Sequence, residues 1–179
     1  MREDGVLAAI LPEADALERL AALVRLEPAA DPVRRLGALL AIDAAGAERV
    51  ARRLKLTTAE RDRLAAMAAA PSPVALDADA RAQRRALYHL GAPLYRDLVL
   101  LRAAERGADA RASELLALAE AWRKPRFPLR GRDVTARGVA PGPEVGRLLA
   151  AVEAWWEAGD FGAERQSCLA ELERHMARG

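Results

Sequence analysis

Cysteine, histidine and aromatic residues are all scarce in this sequence of 179 residues. Its one cysteine, Cys168, excludes an internal disulfide framework and favours a reducing compartment. Only 4% of the residues are aromatic, so a core has to be built mostly from leucine, alanine and valine. The sequence also has no charged-then-apolar leader and no apolar run long enough to cross a bilayer, which predicts a soluble, cytoplasmic protein.

Most signatures of catalysis are missing as well. His89 and His175 lie far apart, and neither has a cysteine or an acidic partner at the spacing of a metal site. There is no glycine-rich nucleotide loop and no serine in the context of a hydrolase nucleophile. Asp77-Ala78-Asp79 has the D-x-D spacing of a two-metal nucleotidyl-transfer site, which would make the chain an autonomous enzyme. Because a proline turn leads from this pair straight into a helix, helix capping is the better explanation.

The abundant residues are alanine, leucine, arginine and glutamate, and all four favour helix. At 52% apolar residues, the chain is long enough to bury a core. Apolar residues recur at helical spacing, and Asp31-Pro32 has the pattern of an N-cap followed by proline in the first helical position. We therefore expect an all-α fold, an array of short antiparallel helices with a smaller C-terminal helical unit. The expected boundary separates residues 1–122, a helical body, from the basic residues 123–179.

Helix boundaries follow from glycine, proline and capping residues. Thr57-x-x-Glu60 predicts a capping box, and glycines at 91, 107 and 138 are expected to close helices. Residues 5–11 read as the last turns of a helix stopped near Pro12, and residues 71–73 are expected to end another. The predicted helices are 15–26, 31–42, 44–54, 58–70, 80–90, 93–106, 111–123, 131–136, 143–158 and 164–177.

Positive charge is concentrated in two segments of a chain whose formal net charge is only +2. Residues 123–147 contain seven arginines and lysines against two acidic residues. Residues 81–106 contain six arginines against two acidic residues, and Arg81, Arg84 and Arg85 share one side of a helix. Either segment alone is explained equally well as a solvated charged face. The two together predict binding to RNA or another phosphate backbone.

The turn Gly-x-x-Pro-Gly-Pro-x-x-Gly at 138–146 precedes one of the last predicted helices. It is expected to expose the backbone amides around Gly142 and Val145 as an anion site, although an ordinary helix cap is the simpler alternative. On the first interpretation, Gly142→Val damages both the turn and the site. Five of the seven aromatic residues lie in 122–161, where we expect the tryptophans to build a core rather than to stack on bases.

Residues 127–149, FPLRGRDVTARGVAPGPEVGRLL, and 155–161, WWEAGDF, resemble the C-terminal region of bacterial CCA-adding tRNA nucleotidyltransferases, a family that includes the bacterial poly(A) polymerases. Residues 5–13 and 34–40 are similar to the end of the family's neck and the start of its body. Arg137 departs from the pattern, since the family usually has a leucine-like residue there. The matching positions are Gly131, Asp133, Val134, Gly138, Pro141, Gly142, Pro143, Val145 and Gly146.

The resemblance implies that this chain is a body and tail region that grips tRNA through its backbone. The family's catalytic head, with its phosphate loop and strand-borne D-x-D, would lie before residue 1, so Asp77 and Asp79 do not inherit its role. Magnesium and CTP or ATP would belong to that head, and this chain alone is expected to hold no cofactor and transfer no nucleotide. The expected partners are tRNA and the head.

Charge, local pattern and the resemblance together give twelve candidate RNA-binding residues. The rival hypothesis is a helical interaction module whose arginines bind an acidic partner protein. The candidates are Arg81, Arg84, Arg85, Arg123, Lys124, Arg126, Arg130, Arg132, Arg137, Gly142, Val145 and Arg147.

Overall fold

The computed structural model describes residues 9–68 and 74–178, and within these ranges the fold is all-α, as predicted. An isolated antiparallel bridge between Ala14 and Leu40 is the β pairing found there. None of the described helices combines the length and the apolar character needed to cross a membrane. The helices are α1 (Leu17–Leu26), α2 (Pro32–Leu39), α3 (Ala44–Arg53), α4 (Thr58–Ala68), α5 (Ala80–Arg106), α6 (Asp109–Ala121), α7 (Gly131–Thr135), α8 (Pro143–Ala158) and α9 (Arg165–Met176).

The predicted caps are present. The Asp31 side chain accepts the Arg34 backbone N–H at 2.8 Å, at the start of α2. Thr57 and Glu60 form the reciprocal capping box of α4, since the Thr57 N–H donates to the Glu60 carboxylate at 2.8 Å and the Glu60 N–H donates to the Thr57 hydroxyl at 3.3 Å. Both capping signals act within one helical turn, and the Asp31 carboxylate also pairs with Arg63 Nη1 at 2.9 Å.

Gly91 interrupts α5, as the sequence predicts. Its backbone has φ 73° and ψ 155°, outside the helical region, and Pro93 follows within the same element. Gly107 and Gly138 also adopt positive φ, at 64° and 89°, just after helices end. The predicted helix end in 5–11 is only partly described. The predicted end of the helix 58–70 and the turn at 71–73 lie outside the described residues.

The chain divides into two compact units, which we call the larger and the smaller unit. The larger unit consists of the described parts of Met1–Asp79 together with His89–Trp122. The smaller unit consists of Ala80–Tyr88 and Arg123–Gly179. The first nine residues of α5 thus belong with the C-terminal segment, whereas the sequence analysis assigned them to the 1–122 region.

The core of the larger unit is aliphatic, as the shortage of aromatic residues requires. Leu23, Ala38, Ala47 and Val50 are fully buried, and Leu64 is 1% exposed. These side chains come from α1, α2, α3 and α4, so four short helices share one apolar cluster.

A buried ionic network accompanies this core. The Asp97 carboxylate is 1% exposed and accepts hydrogen bonds from Arg34 Nε at 2.8 Å and from Arg63 Nε at 2.7 Å. Glu27, also 1% exposed, accepts from Arg34 and from Arg35 Nε at 3.2 and 2.5 Å. Buried carboxylates require such partners, so these arginines serve the fold of the larger unit.

Candidate nucleic-acid interface

The smaller unit is built around Trp156. This side chain is 2% exposed, and its indole N–H donates to the Ala163 carbonyl at 3.0 Å. The rings of Phe127, Tyr88 and Phe161 surround it, with centroids 5.5, 5.8 and 5.1 Å from the Trp156 ring. The expectation of a core role is confirmed for Trp156. A ring enclosed in this way is not available to stack on a base.

Asp133 anchors the segment that bears the basic stretch. Its carboxylate, in α7, accepts the backbone N–H of Arg130 at 2.7 Å and two N–H groups of Arg165, at 2.5 and 3.2 Å. Arg165 also donates to the Pro128 carbonyl at 2.8 Å. The Arg165 guanidinium holds the pKa of Asp133 at about 2, well below its usual value. Asp133 of the Gly131-Arg132-Asp133 sequence thus links α7 to α9 through its ion pair with Arg165.

The turn before α8 does not have the geometry expected of it. Gly142 has φ 162°, an extended conformation that any residue can adopt, and a Cβ added there would meet nothing within 4 Å. The structure therefore gives no steric reason for Gly142→Val to damage the turn. The Val145 N–H already donates to the Gly142 carbonyl at 3.1 Å. The first turn of α8 also carries a carboxylate of its own, Glu144, which is paired with Arg147.

Val145 has a packing role instead. Its side chain is half-buried, and a Cβ added to Gly131 would lie 3.6 Å from Val145 Cγ1. That distance is an ordinary van der Waals contact, so Val145 packs against α7 without any requirement for glycine at position 131. The hydrophobic position of the P-G-P-x-hydrophobic-G pattern thus packs between these two helices, and of the two predicted amides the Val145 N–H is already used within the turn.

Three of the ten candidate cations are neutralised inside the smaller unit. Arg84 Nε and Nη2 donate to the two oxygens of Asp160 at 2.7 and 2.6 Å. Arg147 forms a two-point contact with Glu144, one helical turn away.

Arg137 is the third. Its Nε donates to Glu173 at 3.1 Å and its Nη1 to the Asp133 carbonyl at 3.1 Å. Asp160, Glu173 and Arg165 are partners that were not predicted from the sequence. No local signal could have revealed them, because the partners of Arg84 and Arg137 lie 76 and 36 residues away along the chain.

The other candidate cations lie at the surface of the smaller unit. Lys124 is exposed and its Nζ lies 4.7 Å from the centroid of the Tyr88 ring, a cation–π contact. Arg123 is also exposed. Five exposed arginines make no ion pair with any residue in the described parts of the chain, namely Arg81, Arg85, Arg126, Arg130 and Arg132.

The division into units separates charge as well as structure. Residues 80–88 and 123–179 contain thirteen basic and eight acidic side chains, whereas the rest of the chain contains fifteen basic and eighteen acidic ones. The basic segment 123–147 lies entirely in the smaller unit. Of the basic segment 81–106, only residues 81–88 belong to that unit. Arg96, Arg102 and Arg106 of that segment fall in the larger unit.

The Asp77/Asp79 pair and the histidines do not form a metal or catalytic site in the described residues. The Asp77 carboxylate is 87% exposed and lies 4.0 Å from Arg106, and Asp79 immediately precedes α5. Within 9–68 and 74–178, no three histidine, cysteine or acidic residues are grouped so as to hold a metal ion. His175, expected to have no acidic partner, does have an acidic neighbour. Its Nε2 lies 3.2 Å from Glu171, one helical turn earlier.

The larger unit contains a cavity of about 460 Å³ with leucine, isoleucine and methionine in its lining. Arg19 borders this cavity, but its guanidinium already donates to the carbonyls of Ala38 and Gly37, at 2.6 and 3.1 Å, and to Glu105 at 2.9 Å. Arg19 therefore closes the C-terminal end of α2 and is not presented to a ligand.

No family model matches this chain, and no curated protein matches it. The resemblance to the CCA-adding family therefore depends on the residues quoted for it.

Proposed function

We propose that this chain is the tRNA-binding body and tail region of a CCA-adding tRNA nucleotidyltransferase, and that its smaller unit grips the RNA backbone. The observation that carries the proposal is the inclusion of Arg81, Arg84 and Arg85 in the same compact unit as the basic stretch after Trp122. Positive charge collected on one compact unit, with a net negative remainder, is the electrostatic pattern expected of a polyanion-binding surface.

The grip acts through phosphate and sugar. Exposed guanidinium groups and the Lys124 ammonium neutralise phosphates and release counterions, so affinity falls steeply with salt and depends little on sequence. The aromatic rings packed around Trp156 are used in the core, which favours structured RNA over single strands that need stacking platforms. Nucleotide transfer, with magnesium and CTP or ATP, belongs to a separate catalytic head. A cytoplasmic location is part of the same proposal.

Binding to a tRNA pool across a salt series from roughly 50 to 300 mM tests the proposal, with an RNA hairpin and a single strand as competitors. We expect tight binding that prefers tRNA and weakens steeply with salt. Binding to none of the three at the lowest salt contradicts the proposal. Capture of an acidic protein with no binding to RNA would assign the arginines to a protein partner instead.

Arginine-to-glutamate variants test where the proposed RNA-binding surface lies. Arg126→Glu with Arg130→Glu removes two exposed cations that have no ion-pair partner in the described residues, so the double variant should bind tRNA more weakly and lower the slope of log K against log salt by about 2. The matched control is Arg25→Glu with Arg52→Glu, two exposed arginines of the larger unit. Equal weakening by both double variants would mean that net charge alone, and no defined surface, governs binding.

A further inference from the structure

The turn between α8 and α9 has an unusual backbone. Asp160 and Phe161 are consecutive non-glycine residues with positive φ, 59° and 63°. Each such residue costs free energy, and a pair of them persists only where the surroundings hold it. Phe161 is held by its N–H bond to the Trp156 carbonyl at 3.0 Å and by its ring, whose centroid lies 5.1 Å from those of Tyr88 and Trp156.

Asp160 is held by Arg84. The two carboxylate oxygens accept from Nε and Nη2 of one guanidinium, at 2.7 and 2.6 Å, which is the parallel two-point geometry by which arginine also binds phosphate oxygens. Arg84, and Arg81 after it, lower the pKa of Asp160, so the carboxylate is an anion facing more than one cation.

This contact is partly exposed to solvent. The Arg84 and Asp160 side chains are 30% and 31% exposed, and a partly exposed ion pair stabilises a fold only slightly. The two Asp160 carboxylate oxygens therefore occupy a position on Arg84 that an external anion could take without unfolding the smaller unit. Arg81 and Arg85, on the same side of α5, are exposed and make no ion pair with a described residue.

We infer that Arg84, flanked by Arg81 and Arg85, is a phosphate-binding site in which the Asp160 carboxylate is a resident stand-in that a phosphate group displaces. The inference depends on the proposed function for its ligand, a phosphate of the RNA backbone. It adds a site at the start of α5 and an internal competitor that limits affinity. Binding exchanges one ion pair for another, so no covalent bond is formed or broken.

Asp160→Asn tests the competitor, because asparagine tolerates positive φ as aspartate does but carries no charge. We expect tRNA binding near 50 mM salt to tighten about 2- to 5-fold and the salt slope to steepen by about 1. Glu114→Gln is the matched control, since it removes one negative charge from the Arg111–Glu114 pair of the larger unit. In the double variant Asp160→Asn with Arg84→Ala the gain should disappear. No gain, or a gain equal to that of Glu114→Gln, overturns the inference.

Two further measurements keep the outcomes distinct. Asp160→Gly removes the carboxylate and relieves the backbone strain, so it gives the same comparison if the asparagine variant folds poorly. Inorganic phosphate, against chloride at equal ionic strength, should raise the melting temperature of Asp160→Asn more than that of the unaltered protein. A phosphate effect without any RNA binding would keep the site and reject the proposed function. RNA binding that Asp160→Asn leaves unchanged would keep the proposed function and reject the site.

Discussion

At the scale of single residues, Asp133 shows how a side chain in a sequence motif can serve the fold rather than a ligand. It is buried, it accepts the Arg130 N–H, and it pairs with Arg165. Asp133→Asn should lower the free energy of unfolding at pH 7 by about 1–3 kcal/mol, because asparagine cannot satisfy all three donors. Denaturation in urea measures this loss, and Asp62→Asn, at an exposed carboxylate, should change stability by less than about 0.5 kcal/mol.

The pH dependence of the same variant tests the cause. The folded pKa of Asp133, about 2, lies below the ordinary value of 3.8, so its contribution is full above pH 4 and is lost as pH falls towards 2. The stability difference between the unaltered protein and Asp133→Asn should therefore shrink over that interval. A difference that stayed constant down to pH 2 would show that packing, and not charge, explains it.

Two glycines of the same motif region differ in what they require. Gly138 has φ 89°, which a side chain makes costly, whereas Gly142 is extended and faces open space. Gly138→Ser should lower stability by about 1–2 kcal/mol. Gly142→Ser should change it by a few tenths at most, since serine is a good N-cap residue for α8. Thermal melting of the two variants side by side measures the contrast, which equal losses would contradict.

At the scale of elements, α5 is two helices in sequence joined at Gly91. Alanine normally stabilises a helix relative to glycine, but the positive φ of Gly91 reverses that expectation. Gly91→Ala should therefore destabilise the protein by about 1–2 kcal/mol. Gly146→Ala, in the interior of α8 with open space around it, should stabilise it by about 0.5–1 kcal/mol. Urea denaturation gives both values, and stabilisation by Gly91→Ala would mean that α5 can straighten.

Helix boundaries were largely predictable because their signals are local. The Asp31 and Thr57 caps and the glycines after α5 and α7 act within one helical turn, so sequence spacing is sufficient to find them. The anion site expected at Gly142 is less well defined by local signals. Sequence spacing shows that a helix begins there with Glu144 in its first turn, but not that the Val145 N–H already donates to the Gly142 carbonyl.

At the scale of the whole molecule, one buried charge network supports the larger unit. Asp97 accepts from Arg34 and Arg63, so Asp97→Ala leaves two guanidinium groups without their buried partner. We expect a loss of about 3–5 kcal/mol in the free energy of unfolding. Glu114→Gln, at an exposed pair, should cost less than about 0.5 kcal/mol. A loss below about 1 kcal/mol for Asp97→Ala would show that the network contributes little to stability.

The sequence by itself determined the all-α class, the helix caps and the concentration of basic residues, because propensity, capping and composition act over a few neighbouring residues. Local spacing accounts for the Arg147–Glu144 pair, but only the tertiary structure decided which arginines pair with distant carboxylates. Arg84 meets Asp160 across 76 residues, Arg34 meets Asp97 across 63 and Arg165 meets Asp133 across 32. Such pairings depend on how helices pack, and no spacing rule reaches that far. The same packing placed residues 80–88 with the C-terminal segment, and so determined which cations remain at the surface of the smaller unit.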